Sequence, residues 1–319
     1  MDIDFKPGYI VLKNGKGPVY VVLHSGPRIG ATIDRDTDAD AVASICWRKT
    51  GGTLVLSTVP RQQEIGIDFN RDSVDAKTAL KSWKIVQTEG GGRYKNRFAW
   101  SACDMSDYKN KQRIYEGFWT GISKLGGVFF LVHSTGIRIG HIPTLIDVIT
   151  FNGMGLKRKT AKEIADKLNS KYGPFFLGIK LVHDKSISLK HETRLNQVFA
   201  KKRSYILEEL IQRDMEKIKK YAEPEIAKRL EKELTPENFM AGIESALSRA
   251  ETPRITIENV FSGEKAFGPK KYLVGKAKAV VEIEFNEFLI NHFPEKSAEI
   301  LQDFVAEVSA ATGSISNAK

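Results

Sequence analysis

Val19-Tyr20-Val21-Val22-Leu23, then His24-Ser25-Gly26, then Asp34-Arg35-Asp36-Thr37-Asp38, and finally Arg61 with Ile67-Asp68-Phe69-Asn70-Arg71 form the stretch that decides the fold. An apolar, β-branched run ending on a histidine reads as a buried parallel strand. Such a strand delivers its imidazole to a C-terminal loop, where open α/β sheets place their ligands. Closely spaced carboxylates and two arginines follow, the residue types that hold a metal ion and clamp an anionic substrate. The reading is a metal site with an anion clamp beside it.

Further along, the pattern repeats. Val128-Phe129-Phe130-Leu131-Val132 runs into His133-Ser134, and two such strands side by side would bring His24 and His133 to one edge of a sheet. Tyr9 to Leu12 and Thr53 to Ser57 read as further strands, with the turn Asn14-Gly15-Lys16-Gly17-Pro18 after the first. Ala39 to Lys49 and Asp107 to Lys124 have helical spacing, and Asp38 is the expected N-cap of the former. Ile146 to Phe151 is expected as a strand, Thr160 to Lys171 as a helix and Pro174 to Val182 as a strand. Gly90-Gly91-Gly92-Arg93 lacks the strand-to-helix context of a phosphate-binding loop and reads as a plain loop.

Past this point the periodicity becomes helical throughout, with Leu207, Ile211, Met215 and Ile218 on one stripe and Thr235-Pro236-Glu237 opening another helix. The αβ pattern returns at Arg254 to Val260 and at Ala279 to Asn286, where Glu282 and Glu284 share one strand face. A carboxylate inside an apolar strand is costly unless it is paired or used. Lys296 to Ala310 closes the chain as a helix. The expected architecture is therefore α/β: a three-layer α/β/α arrangement with a mixed, mostly parallel central sheet, spanning residues 1–184 and 251–319. Residues 185–250 form a helical insertion.

The chain has 319 residues, 41% of them hydrophobic, enough for a large buried core. Its start, Met1-Asp2-Ile3-Asp4-Phe5-Lys6-Pro7, has no secretory pattern, and no apolar run is long enough for a bilayer. The expected location is the cytoplasm. Two cysteines, Cys46 and Cys103, provide no disulfide framework and no metal-like spacing. A net charge of +10 raises the question of nucleic acid, but the cations are interspersed with acidic residues and read as a solvated surface. A basic cleft mouth attracting small carboxylates would use the same charge.

Taken in order, His24-Ser25-Gly26, Asp36-Thr37-Asp38, Arg61 with Asp68-Phe69-Asn70-Arg71, His133-Ser134, Asn259-Val260-Phe261-Ser262-Gly263 and Ile283-Glu284-Phe285 resemble the signature blocks of the N-formylglutamate amidohydrolase family. That family is similar in fold to zinc carboxypeptidases and aspartoacylase. The resemblance implies one Zn2+ per chain, bound by His24, His133 and a carboxylate. In the carboxypeptidase relatives that carboxylate lies three residues after the first histidine, where this chain has Pro27. Asp36 or Asp38 is the expected replacement, with Asp34 the outsider. The resemblance further implies Glu284 as general base, Arg61 as oxyanion stabiliser, and Asn70 with Arg71 as the grip on a substrate carboxylate. The expected substrate is an N-acylated acidic amino acid, with a peptide as the carboxypeptidase-like variant. The competing expectation is a non-catalytic member of the fold whose basic helical insertion serves a protein or nucleic-acid partner. A homo-oligomer formed through that insertion is a further expectation.

Overall fold

The computed structural model describes residues 1–27, 35, 36, 38–88, 98–135, 144–200, 228 and 252–313. Asp34, the Gly90 to Arg93 loop, and the Leu207 and Thr235 helices lie outside them. The described chain divides into two compact units. One comprises Met1–Thr135, Asp147–Asp166 and Ile257–Lys319, the other Gly136–Ile146 and Lys167–Thr256.

Eight strands among the described residues make one sheet: β1 (Asp2–Lys6), β2 (Tyr9–Asn14), β3 (Val19–Val22), β4 (Gly52–Ser57), β5 (Val128–Thr135), β6 (Thr144–Ile149), β7 (Arg254–Ile257) and β8 (Ala279–Asn286). Their order across the sheet is β1-β2-β4-β3-β5-β8-β6-β7. The strands β4, β3, β5 and β8 run parallel, and the hairpin β1–β2 adds an antiparallel edge. With helices on both faces, this is the expected three-layer α/β class.

Side-chain alternation along the central strands explains the layers. On one face Tyr20 and Phe130 stack, Phe130 meets Phe304 edge-on, and Tyr20 contacts Cys46, so α1 (Ala39–Thr50) and the C-terminal helix Pro294–Ala311 cover that side. On the other, Val21, Phe129 and Leu131 join a core with Phe69, Tyr115, Phe118 and Trp119, the last three from Met105–Ser123. Because both faces are buried, β3 and β5 are continuously apolar rather than alternating. His24 and His133 lie at the ends of such runs, where the sheet stops supplying apolar partners.

Several expectations are corrected. Pro174 to Val182 is helix, not strand: Arg158–Ala200 is one helix with Pro174 inside it. Leu168, Tyr172, Phe176 and Ile179 are its buried side chains there, at helical spacing. A short apolar run beside a proline does not distinguish strand from buried helix by composition alone. The expected boundary between residues 184 and 185 falls within this helix. Asp38 does precede α1, but its backbone is left-handed (φ 55°) and its side chain makes no capping hydrogen bond. Strand β1 and the helix Ala76–Thr88 were not anticipated.

Candidate active site

The turn after β3 is built to present His24. Ser25 Oγ donates to the carbonyls of Val22 and Ser57, at 3.1 and 2.9 Å, tying the ends of β3 and β4 together. A Cβ at Gly26 would collide with the Val59 carbonyl, so only glycine lets the turn lie against the chain that leads to Arg61. The Asp36 amide then donates to the His24 carbonyl at 3.2 Å, folding the carboxylate back over the ring.

At this sheet edge His24 Nδ1 and His133 Nδ1 both face Asp36 Oδ2, at 3.1 and 2.7 Å. The two rings lie 5.0 Å apart between centroids. His24, Asp36 and His133 are all buried, and their ligand atoms lie within 4.8 Å of one another. Two imidazoles and a carboxylate form the donor set of catalytic zinc sites, and these residues fit such an ion. Asp36 supplies the carboxylate that the sequence left open between two aspartates; Asp38 is only partly buried and is not in the group.

Asp68, which the sequence offered only as a structural ion-pair partner of Arg71 at a loop, is the hub behind this group. His24 Nε2 donates to its Oδ1 at 3.0 Å, as does the Asn70 amide, while Arg61 Nε and Arg71 Nε lie 3.3 and 3.4 Å from its Oδ2. A carboxylate on the far nitrogen of a ligating histidine fixes the tautomer that leaves the near nitrogen free for metal. The Asp-x-Asn-Arg spacing, with asparagine two residues after the aspartate, was the signal available for this turn. Arg61 also reaches Asp36 Oδ1 at 3.3 Å, so it bridges two buried carboxylates. Its loop is pinned from below by the buried Lys111, whose Nζ donates to the carbonyls of Glu64 and Ser101.

Electrostatics follow from this packing. Burial opposes ionisation of Asp68, but Arg61, His24 and Arg71 outweigh it and hold the carboxyl well below its usual range. Asp36 is lowered in the same way by the two histidines. Burial and Arg61 disfavour a charged His24, yet Asp36 and Asp68 prevail and raise its pKa. Glu284 goes the other way: burial, helped by Glu282 and Asp36, pushes it up to about 8 against the opposing pull of His133 and Arg61.

Glu284 lies directly opposite His133 in the parallel register of β5 and β8. Beside it opens a cleft of about 350 Å3 lined by Arg61, Asn70, Arg71, Glu282, Glu284 and the segment Val260–Ala266. Thus the anticipated base, oxyanion stabiliser and carboxylate grip share one cleft. That segment is itself held in place: the buried Asp147 carboxylate accepts from the amides of Asn259, Val260 and Phe261, at 3.1, 2.8 and 2.9 Å. Sequence reading placed Asp147 in a strand and missed this role.

No family model and no curated protein matches the chain. Among solved structures, N-formylglutamate amidohydrolase from Ralstonia eutropha JMP134 is similar over 97% of this chain and 98% of its own, at 13% identity and a TM-score of 0.38. A gene product from Agrobacterium tumefaciens is similar over 95% of this chain and 94% of its own, at 11% identity and a TM-score of 0.50, a likeness that shows the fold alone.

Proposed function

We propose that this chain is a zinc-dependent amidohydrolase that cleaves the amide bond of an N-acylated acidic amino acid or a similar small carboxylate. The observation that carries the reading is the convergence of His24, Asp36 and His133 at a sheet edge beside a cleft holding Glu284 and two arginines.

A zinc ion on those three residues would supply an acidified water and polarise the scissile carbonyl. Glu284 takes the proton of the attacking water and returns it to the leaving amine; a carboxyl titrating near 8 is poised for both transfers around neutrality. Arg61, kept cationic by Asp36 and Asp68, faces the developing oxyanion. Arg71 and Asn70 on the cleft wall hold the substrate carboxylate, with a planar fork that lysine does not offer. Asp68 accepts the proton-bearing nitrogen of His24 and orients its ring.

The test is metal analysis of purified protein followed by hydrolysis assays on N-formylglutamate, other N-acyl amino acids and short peptides. One zinc per chain and turnover of an N-acyl acidic amino acid are expected. Glu284→Gln should keep the metal and lower kcat by roughly 100- to 10,000-fold. Near-normal turnover by that variant removes Glu284 from the mechanism. A metal-free protein that binds nucleic acid with a steep salt dependence would replace the hydrolase reading altogether.

A further inference from the structure

Glu282 is 4% exposed within β8, and its Oε2 has no hydrogen-bond partner among the described residues. His133 Nε2, on the adjacent strand, is a second buried polar atom in the same condition. Folded proteins rarely leave such groups unpaired.

Strand register explains why the two are neighbours. Leu131 lies opposite Glu282 and His133 opposite Glu284, so all four side chains share one face of the sheet. Glu282 stands on the diagonal from His133, within reach of a long side chain. Glu282 lines the cleft, but its Oε2 has almost no accessible surface and is turned away from the cleft space.

The other histidine supplies the template. His24 turns Nδ1 towards Asp36 and gives Nε2–H to a buried carboxylate, Asp68. His133 turns Nδ1 towards the same oxygen of Asp36, and Glu282 and Glu284 are the carboxylates on the same face of the strand beside it. Glu284 is half-buried at the cleft and is engaged there.

We propose that Glu282 is the positioning residue for His133: its carboxylate accepts the Nε2–H through one buried water and fixes the tautomer that leaves the Nδ1 lone pair free for a metal shared with Asp36. The consequence for metal binding rests on the zinc reading above; the link between the two side chains does not. Outer carboxylates of this kind strengthen metal binding by about 10- to 100-fold, and a single water can bridge two buried polar atoms at small cost.

The experiment uses the full chain with Glu282→Leu and Glu282→Gln. Zinc affinity is measured by competition with a chelator, and the His133 ring nitrogens are followed by 15N-edited NMR with and without zinc. The leucine variant should bind zinc about 10- to 100-fold more weakly and, at pH 6 without zinc, lose an exchange-protected Nε2–H signal present in the wild type. The glutamine variant, which preserves shape but accepts a weaker hydrogen bond, should keep that signal at an upfield position. It carries the test if the leucine variant does not fold. Affinities within twofold and unchanged ring signals would overturn the proposal. A wild-type chain that takes up no zinc, yet loses the protected signal on substitution by leucine, would overturn the metal centre and sustain the link.

Discussion

The two ends of the β1–β2–β4–β3–β5–β8 run differ in what their strands deliver. At the parallel centre, β3, β5 and β8 finish side by side, and their C-terminal ends bring His24, His133 and Glu284 together with Asp36, Arg61 and Asp68. At the antiparallel edge, β1 is exposed along its whole length, and Ile3 and Phe5 face solvent. Parallel strands align their loops on one side and so concentrate polar groups where the sheet ends. A hairpin edge adds hydrogen bonds without gathering side chains. Stability and chemistry should therefore be coupled at the first region and nearly absent from the second.

The largest expected effect comes from Asp68→Ala, which leaves the buried Nε2 of His24 and the half-buried Arg61 and Arg71 without their shared acceptor. Unfolding in denaturant should show a loss of about 3–5 kcal/mol. A loss below 1 kcal/mol would mean the hub is screened by solvent and would erase the contrast with the edge. Next, Arg71→Lys preserves charge but loses the fork, and should raise KM by roughly ten- to hundredfold, about 1.5–3 kcal/mol, with kcat little changed. An unchanged KM would leave carboxylate recognition to another residue of the cleft.

Acidity sharpens the comparison, because its dependence should originate in the central region. Asp68 and Asp36, lowered from 3.8, contribute stability that is complete above that value and is lost as pH falls below it. Glu284 acts in the opposite sense. The folded state holds its proton up to about 8 against 4.5 unfolded, so the metal-free protein should lose stability as pH climbs across that window. His24 and His133, raised above 6.5, add to the same decline. Glu284→Gln should make the slope between pH 4.5 and 8 shallower in chemical denaturation; an identical slope would place the unfavourable charge elsewhere. Smallest of all, Phe5→Ser on the exposed edge should change stability by no more than about 0.5 kcal/mol. A larger loss would show that the edge packs against something.

Legibility in the sequence followed the same division. The two strand-end histidines could be read because strands buried on both faces are uninterrupted apolar runs, and a polar residue at their end stands out. Glu282 and Glu284 could be assigned to one face because side chains alternate along a strand. Asp147's role could not be read, and of Asp68's only the local pair with Arg71 could, since the decisive partners lie far along the chain, backbone amides 112 to 114 residues away in one case and His24, 44 residues away, in the other. The run at Pro174 misled because strand and buried helix draw on the same apolar residues over a short span.

The sequence by itself determined the fold class, a histidine at the end of each of two buried strands and the parity of the β8 glutamates, all of which follow from local periodicity. Tertiary structure alone decided which aspartate completes the group. Asp36 is drawn back by its amide bond to the His24 carbonyl, whereas Asp38, partly buried at the start of α1, is not in the group. It also decided which carboxylates stand behind the histidines, because strand register and loop closure, rather than spacing along the chain, set those distances.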